Sequence, residues 1–278
     1  MTVGIVTGAA RGMGAACAKR LADMVDVLLV ADRDTEVLAR TVEHLAAEPT
    51  RAALEPIALD VTERDDVARL LSRAAGLGGL RAVAHAAGVS PTMGDWRQML
   101  VVDLVGTALI VDACRPLATE GTAIVCFASM APLLAMADMD VAADAVLDDP
   151  LGDRFLERIR EAVGPGLEDS GMAYTWAKRG VHRLVRREAS AFGQVGARIC
   201  SVSPGIIDTP MGKQEGAARS TNDMLVQLSP LGREGTADEV AAAVAFLVSE
   251  EGAFVTGIDL PVDGGIVAAI RSRGTPLT

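Results

Sequence analysis

Residues 3–14 constrain the fold more than any other stretch. A short apolar run at 3–7 enters Thr7-Gly8-Ala9-Ala10-Arg11-Gly12-Met13-Gly14, and an alanine-rich helical stretch follows to about residue 24. Strand, glycine-rich turn and helix is the context in which such spacing acquires meaning. Gly8 permits the tight turn, Gly12 lets a pyrophosphate approach the backbone, and Gly14 lets the helix pack close to the strand. The unpaired N–H groups and the dipole at the helix start favour a phosphate anion. Gly8, Arg11, Gly12, Met13 and Gly14 are the candidate cofactor contacts of this turn.

The same alternation continues. A second strand at 27–31 ends in Asp32, a helix with Val37, Leu38, Val42 and Leu45 at helical spacing spans 35–48, and Pro49 and Pro56 bracket a loop. A third strand is expected at 57–59, ending in Asp60-Val61. Thr62 then caps a helix, with Asp65 as reciprocal partner. That helix ends near the loop Gly76-Leu77-Gly78-Gly79, and a fourth strand at 81–86 closes in Ala87-Gly88. Strands alternating with helices imply a doubly wound parallel α/β sheet with helices on both faces. Asp32, at the end of the second strand, is placed to accept from ribose hydroxyls and to repel a 2′-phosphate, which favours NAD(H). Arg11 and Arg33 lie nearby and would favour the 2′-phosphate instead.

Of 278 residues, half are apolar but only 3% are aromatic, so a large core is built from Ala, Val, Leu and Ile. A net charge of −11 with no Lys/Arg run argues against a nucleic-acid surface or an anionic membrane. The longest apolar run, 240–248, is too short to span a bilayer. No basic leader precedes the first strand, and Cys17, Cys114, Cys126 and Cys200 form no C-x-x-C pair. Reduced core thiols in a cytoplasmic protein are expected. His44, His85 and His182 share no metal-ligand spacing, so no metal site is expected.

Tyr174-Thr-Trp-Ala-Lys178 places a phenol and an ammonium one helical turn apart on one face. A free tyrosine titrates near ~10. A lysine held close favours the phenolate, and a tyrosine tuned toward neutrality exchanges a proton with an alcohol or ketone. Tyr174 is the only tyrosine in the chain.

A fifth strand at 122–128 ends at Ser129, at the carboxyl end of a central strand, where α/β folds bind ligands. A sixth at 197–202 leads into Ser203-Pro204-Gly205-Ile206-Ile207-Asp208-Thr209-Pro210, and Asp259–Val262 gives the last strand before Asp263-Gly264-Gly265. Taken in order, Gly8-x-x-x-Gly12-x-Gly14, Asp32, Asp60-Val61, Ala87-Gly88, Ser129, Tyr174-x-x-x-Lys178, Pro204-Gly205 and Asp263-Gly264-Gly265 resemble the compact, single-domain branch of the short-chain dehydrogenase/reductase family. The resemblance implies a Rossmann-type sheet of about seven strands, a nicotinamide cofactor, and interconversion of secondary alcohols and ketones. It implies that Ser129, Tyr174 and Lys178 are catalytic and that Tyr174 and Lys178 also touch the cofactor. Asp60, Val61, Ala87, Gly88, Pro204 and Gly205 line the cofactor site by the same resemblance, with the Ile206 backbone and the Thr209 hydroxyl on the carboxamide. The last strand and helix commonly form a subunit interface in the family, so a homo-oligomer, dimer or tetramer, is expected.

Two positions depart from the family pattern. Ala86 and Asp103 stand where asparagines are usual. Asp103 falls in a helix expected over 95–117, at the family's proton-relay position. Ionised, it would stabilise Lys178; buried and protonated, it would mimic the asparagine. These departures motivate the alternative reading, a non-catalytic NAD-binding regulatory or scaffold protein.

One domain is expected over 1–278, with an inserted segment at about 131–171. Within it, 149–163 reads as an amphipathic helix with Leu151, Phe155, Leu156, Ile159 and Val163 on one stripe. The insertion is either a wall over the substrate pocket or an oligomer contact. A helix at 172–192 carries Trp176 as a packing residue and Arg183, Arg186 and Arg187 as a solvated face. Residues 211–228 read as a mobile substrate loop with Met211, Met224 and Leu225 as apolar contacts. Their character suggests a hydrophobic or cyclic, steroid-like substrate. Thr236 and Glu239 cap a last helix to about 249, and a poorly ordered tail begins beyond 272.

Overall fold

The computed structural model describes residues 1–135, 141–209 and 219–272. The first half winds β1 (Thr2–Thr7), α1 (Gly12–Leu21), β2 (Val27–Asp32), α2 (Thr35–Ala46), β3 (Ala53–Ala58), α3 (Arg64–Leu77) and β4 (Gly79–His85). Then come α4 (Trp96–Leu100), a π-helical segment Val101–Gly106, α5 (Thr107–Cys114) and β5 (Ala123–Phe127). The second half holds α6 (Ala131–Ala135), α7 (Val141–Leu147), α8 (Phe155–Val163), α9 (Ser170–Gly193), β6 (Arg198–Pro204) and β7 (Ile207–Asp208). It closes with α10 (Arg219–Leu228), β8 (Gly235–Thr236), α11 (Ala237–Val248), β9 (Asp259–Val262) and α12 (Ile266–Ser272).

Among the described residues, seven strands form a parallel sheet in the order β3-β2-β1-β4-β5-β6-β9. The side chains alternate between two cores, as strand geometry requires. Ile5, Leu29, Ile124 and Cys126 face the α3, α5 and α9 side. Val6, Leu28, Val30 and Val125 face the α1 and α11 side. Each fully buried Leu or Ile contributes roughly 1.5–3 kcal/mol, which lets a core almost without aromatics hold the fold. All four cysteines are buried thiols, and burial pushes those of Cys17 and Cys126 up to about 12.

Several expected boundaries move. Pro56 lies inside β3, paired with Val30, rather than in a loop. β3 is an edge strand, the position where a missing N–H is tolerated. Thr62 does not cap α3; its N–H and hydroxyl both go to Asp60 Oδ1, at 2.9 and 2.7 Å, and α3 starts two residues later. The helix expected over 95–117 begins as expected, with Asp95 and Gln98 in a capping box, but it is interrupted by the π-helical segment. Thr236 and Glu239 form the expected capping box on α11. Val267 belongs to α12, which runs to Ser272, and the tail beyond lies outside the described residues.

Residues 131–171 include α6, α7 and α8, with α8 starting only at Phe155, after a left-handed Arg154 (φ 55°). Ala143, Leu147, Phe155, Ile159 and Leu167 bury into the same core as Ala173 and Trp176 of α9. Arg179 grips Asp144 through two 2.7 Å hydrogen bonds. Arg183 reaches Asp144 at 2.8 Å and Asp148 at 2.8 and 2.6 Å, and Arg187 donates to the Asp148 carbonyl. The solvated face expected at Arg183, Arg186 and Arg187 is therefore corrected at Arg183. Arg186 and Arg187 are exposed, as expected, although Arg187 also reaches the Asp148 carbonyl, whereas Arg183 is half-buried and clamps α7 onto α9, an association that local spacing does not reveal.

Candidate functional site

Strand order reverses between β1 and β4, and the main cleft opens at the carboxyl ends of these strands, as expected at such a switch point. Gly8 (φ 67°) turns the chain out of β1, and a Cβ there would lie 2.6 Å from the Ala87 nitrogen. A Cβ on Gly14 would meet the Gly8 carbonyl oxygen at 2.0 Å, so helix and strand approach this closely only because residue 14 is glycine. The start of α1 has no side-chain cap and no acidic residue in its first turn. Its N–H groups and positive dipole end therefore suit an anion. This cradle fits the pyrophosphate of a dinucleotide.

Gly8, Arg11, Gly12, Met13 and Gly14 line the cleft together. So do Asp32, Asp60, Val61, Ala87, Gly88 and Thr209. Asp32 accepts from the Ala10 N–H and the Asp34 N–H, both at 2.9 Å, which presets its carboxylate. Arg11 is paired with Asp34, and Arg33 lies 4.0 Å from Asp60. Thr209, from the turn after β6, closes over the glycine turn within 3.7 Å of where a Gly12 Cβ would be. Pro204 ends β6, and Gly205 donates to the Val262 carbonyl at 3.0 Å. Ile206 accepts from Gly235 at 2.9 Å and packs beside Met130, Leu225 and Ile266, next to the cleft rather than in its lining.

Tyr174 and Lys178 lie one turn apart on α9, with the Lys178 Nζ 5.6 Å from the Tyr174 ring centroid. The Lys178 side chain is only 5% exposed. Its ammonium donates to the Phe127 carbonyl at 3.0 Å, two residues before Ser129, and lies 3.3 Å from Asp103 Oδ1. A Cβ on Gly88 would come within 3.4 Å of the ammonium and 2.7 Å of Asp103 Oδ1, so this glycine joins the cleft to the lysine. Burial alone would pull the Lys178 ammonium down, but Asp103 and Tyr174 outweigh it and hold it above the usual lysine value. Burial pushes the Asp103 carboxyl up, against the pull of Lys178 and the Val89 N–H.

Asp103 is fully buried within the π-helical segment. Oδ1 accepts from the Val89 N–H at 3.0 Å, while Oδ2 is buried without a hydrogen-bond partner. Asp103 thus occupies the family's relay position within 3.3 Å of the Lys178 ammonium, where its charge supports that ammonium.

Two buried histidines were missed by sequence reasoning. His85, at the end of β4, takes a 2.8 Å hydrogen bond between Nδ1 and Thr7 Oγ1 and a 3.0 Å one between Nε2 and Thr107 Oγ1. Thr107 donates its proton to the Asp103 carbonyl, so Nε2 carries the hydrogen and Nδ1 accepts from Thr7. His182 contacts Ser203 and Asp259 behind Ser129. The one available signal was its place four residues after Lys178, on the same helix face.

Residues 8–145 and 162–267 match the family model described as enoyl-(acyl carrier protein) reductase. The chain is 31% identical to the short-chain dehydrogenase/reductase bsc3 of Alternaria brassicicola, covering 98% of this chain and 97% of that protein. The chain belongs to the short-chain dehydrogenase/reductase family. It is also 30% identical, over 96% of both chains, to a cis-4-hydroxycyclohexanecarboxylate dehydrogenase of Sinomonas cyclohexanicum. A short-chain type dehydrogenase/reductase from Mycobacterium ulcerans shares its fold, with a TM-score of 0.75, 24% identity, and coverage of 96% of this chain and 90% of that one. The family model passes over residues 146–161, which include the start of α8. As a short-chain dehydrogenase/reductase, the chain is an oxidoreductase that uses a nicotinamide cofactor.

Proposed function

We propose that this chain is an NAD(H)-dependent oxidoreductase interconverting a secondary alcohol and its ketone. The observation that carries the reading is the buried Lys178 ammonium, set against the Tyr174 ring and tied to the strand end that bears Ser129. Its hydrogen bond to Phe127 and its contact with Asp103 leave a third ammonium donor for the cofactor ribose. Lys178 favours the Tyr174 phenolate, so Tyr174 Oη takes the proton of an alcohol or returns it to a ketone. The Ser129 hydroxyl holds the substrate oxygen as charge develops there. The nicotinamide supplies the hydride acceptor or donor.

The choice of NAD(H) rests on Asp32, whose preset oxygens keep lone pairs for the ribose hydroxyls. It also rests on the pairing of Arg11 with Asp34 and the proximity of Arg33 to Asp60. A hydrophobic or cyclic substrate is supported by the apolar cluster of Met130, Leu133, Leu134, Ile206 and Leu225 that adjoins Ser129. The similar hydroxycyclohexanecarboxylate dehydrogenase is named for a cyclic alcohol. Met224 is exposed, and Met211 lies outside the described residues. The 131–171 segment is assigned as an insertion in a single domain spanning 1–278. A cytoplasmic homo-oligomer is supported by the buried thiols and by exposed Phe246 and Ile258 beside the edge strand β9. No helix among the described residues is long and apolar enough to cross a membrane.

Thermal unfolding with NAD(H) and NADP(H) tests the cofactor, because a ligand bound to the folded state raises its midpoint. NAD(H) is expected to stabilise selectively, and preference for NADP(H) would overturn the Asp32 assignment. Tyr174→Phe is expected to lower turnover of cyclic secondary alcohols by about 10²–10⁴-fold while cofactor binding persists. Unchanged turnover in that variant refutes the mechanism.

A further inference from the structure

Helix α9 touches the end of β5 at two levels. At the first, Lys178 donates to the Phe127 carbonyl. One turn further along the same helix face, His182 reaches inward, and its Nε2 lies 2.9 Å from Ser203 Oγ. Ser203 Oγ is in turn 3.0 Å from the carbonyl oxygen of Ser129. Phe127 ends β5 and Ser129 follows it by two residues, so α9 is tied to this strand end twice, directly by Lys178 and through Ser203 of β6 by His182.

The second tie is closed by Asp259, the first residue of β9. Its Oδ1 accepts from Ser201 Oγ at 2.7 Å, and it lies 2.9 Å from Ser203 Oγ and 3.3 Å from His182 Nε2. Ser201, Ser203 and His182 are at most 4% exposed, and the Asp259 side chain is 8% exposed. A carboxylate only accepts and each hydroxyl has one proton, so Ser203 gives its proton to the Ser129 carbonyl, Ser201 gives its proton to Asp259, and His182 Nε2–H faces both Ser203 Oγ and Asp259 Oδ1. Burial alone would raise the Asp259 carboxyl, but His182, aided by the Ser201 hydroxyl, outweighs it and holds it below the usual carboxylate range.

We propose that His182, Ser203 and Asp259 are positioning residues that fix the Ser129 peptide relative to the Tyr174–Lys178 face of α9. The proposal rests on the reading of Ser129 as the residue that holds the substrate oxygen. The Ser129 hydroxyl accepts from the Ala131 N–H at 3.1 Å, so its direction depends on how the strand end is oriented. Ser203 sets that orientation by pulling on the Ser129 carbonyl. His182 keeps Ser203 in register with the helix that carries Tyr174 and Lys178, and Asp259 holds the donors in place. The group touches neither substrate nor cofactor and acts through Ser129.

The test is a double-mutant cycle on the full chain, with kcat, cofactor Kd and thermal midpoint measured for each protein. Ser203→Ala is expected to lower kcat about tenfold, the worth of one buried hydrogen bond, with cofactor Kd changed less than about twofold. In a Ser129→Ala background the same substitution is expected to lower kcat less than about twofold, because the group through which it acts is gone. His182→Gln, which keeps a donor, is expected to retain kcat within about threefold, and His182→Leu to behave as Ser203→Ala. Should Ser203→Ala fail to fold, His182→Leu takes its place in the cycle. Equal losses in both backgrounds, or no loss in either, overturn the proposal. Full turnover by Ser129→Ala alone overturns the active-site reading as well, and that single variant separates the two failures.

Discussion

Acid should destabilise this protein through His85. Burial, and secondarily the Lys178 charge, lower its pKa from 6.5 to about 3. Its neutral tautomer is fully used, with Nε2–H donating to Thr107 and Nδ1 accepting from Thr7. A depressed folded-state value means that the unfolded chain binds the proton first. The contribution is therefore complete above the unfolded value of 6.5 and is lost as pH falls toward about 3. At about pH 5, roughly 1.5 units below the unfolded value, the loss is about 2 kcal/mol at ~1.4 kcal/mol per unit. His85→Gln keeps one donor and one acceptor but does not titrate. Urea unfolding at about pH 7.5 and pH 5 measures both proteins. The wild type should lose about 2 kcal/mol more than the variant between these conditions. Parallel losses, within about 0.5 kcal/mol, would refute the assignment of this acid sensitivity to His85.

Three further outcomes are expected. Gly88→Ala, whose Cβ would sit 2.7 Å from Asp103 Oδ1, should cost about 1–3 kcal/mol in urea unfolding and weaken NADH binding in a calorimetric titration. Asp103→Asn should keep turnover within about threefold, because an amide still pairs with the Val89 N–H, whereas Asp103→Leu should lose more than about tenfold in a steady-state assay. Asp144→Ala strips Arg179 and Arg183 of a shared partner, and should cost about 1–3 kcal/mol and speed limited proteolysis within α7.

The legible parts of the sequence were those in which one local rule governs one local structure. Gly8 and Gly14 are fixed by a turn and a close approach, and their spacing survives in any chain that makes the same crossing. Thr236 and Glu239 cap α11 because both partners lie within one helical turn. Pro56 misled because a proline signals a loop unless the strand is at an edge, and edge position is a property of the whole sheet. Arg183 read as solvated because its partners, Asp144 of α7 and Asp148 just beyond it, come from a separate segment. The π-helical segment around Asp103 was hidden because a single added residue leaves the apolar pattern of a long helix nearly unchanged.

His85 and His182 show why the supports of the candidate site were harder to find than its leading residues. Each is a lone histidine, and neither has a partner within ten residues that would distinguish it from an ordinary core position. His85 acquires meaning only when the β1 and β4 strand ends meet the π-helical segment, joining Thr7 of the glycine turn to Thr107 and, through it, to the Asp103 carbonyl. His182 acquires it only when α9 is laid across β6 and β9, joining Ser203 and Asp259. A buried polar group in this fold is costly unless every hydrogen bond is made. These two histidines therefore mark places where separate chain segments are held in fixed register: β1, β4 and the helix after the π-helical segment at His85, and α9, β6 and β9 at His182.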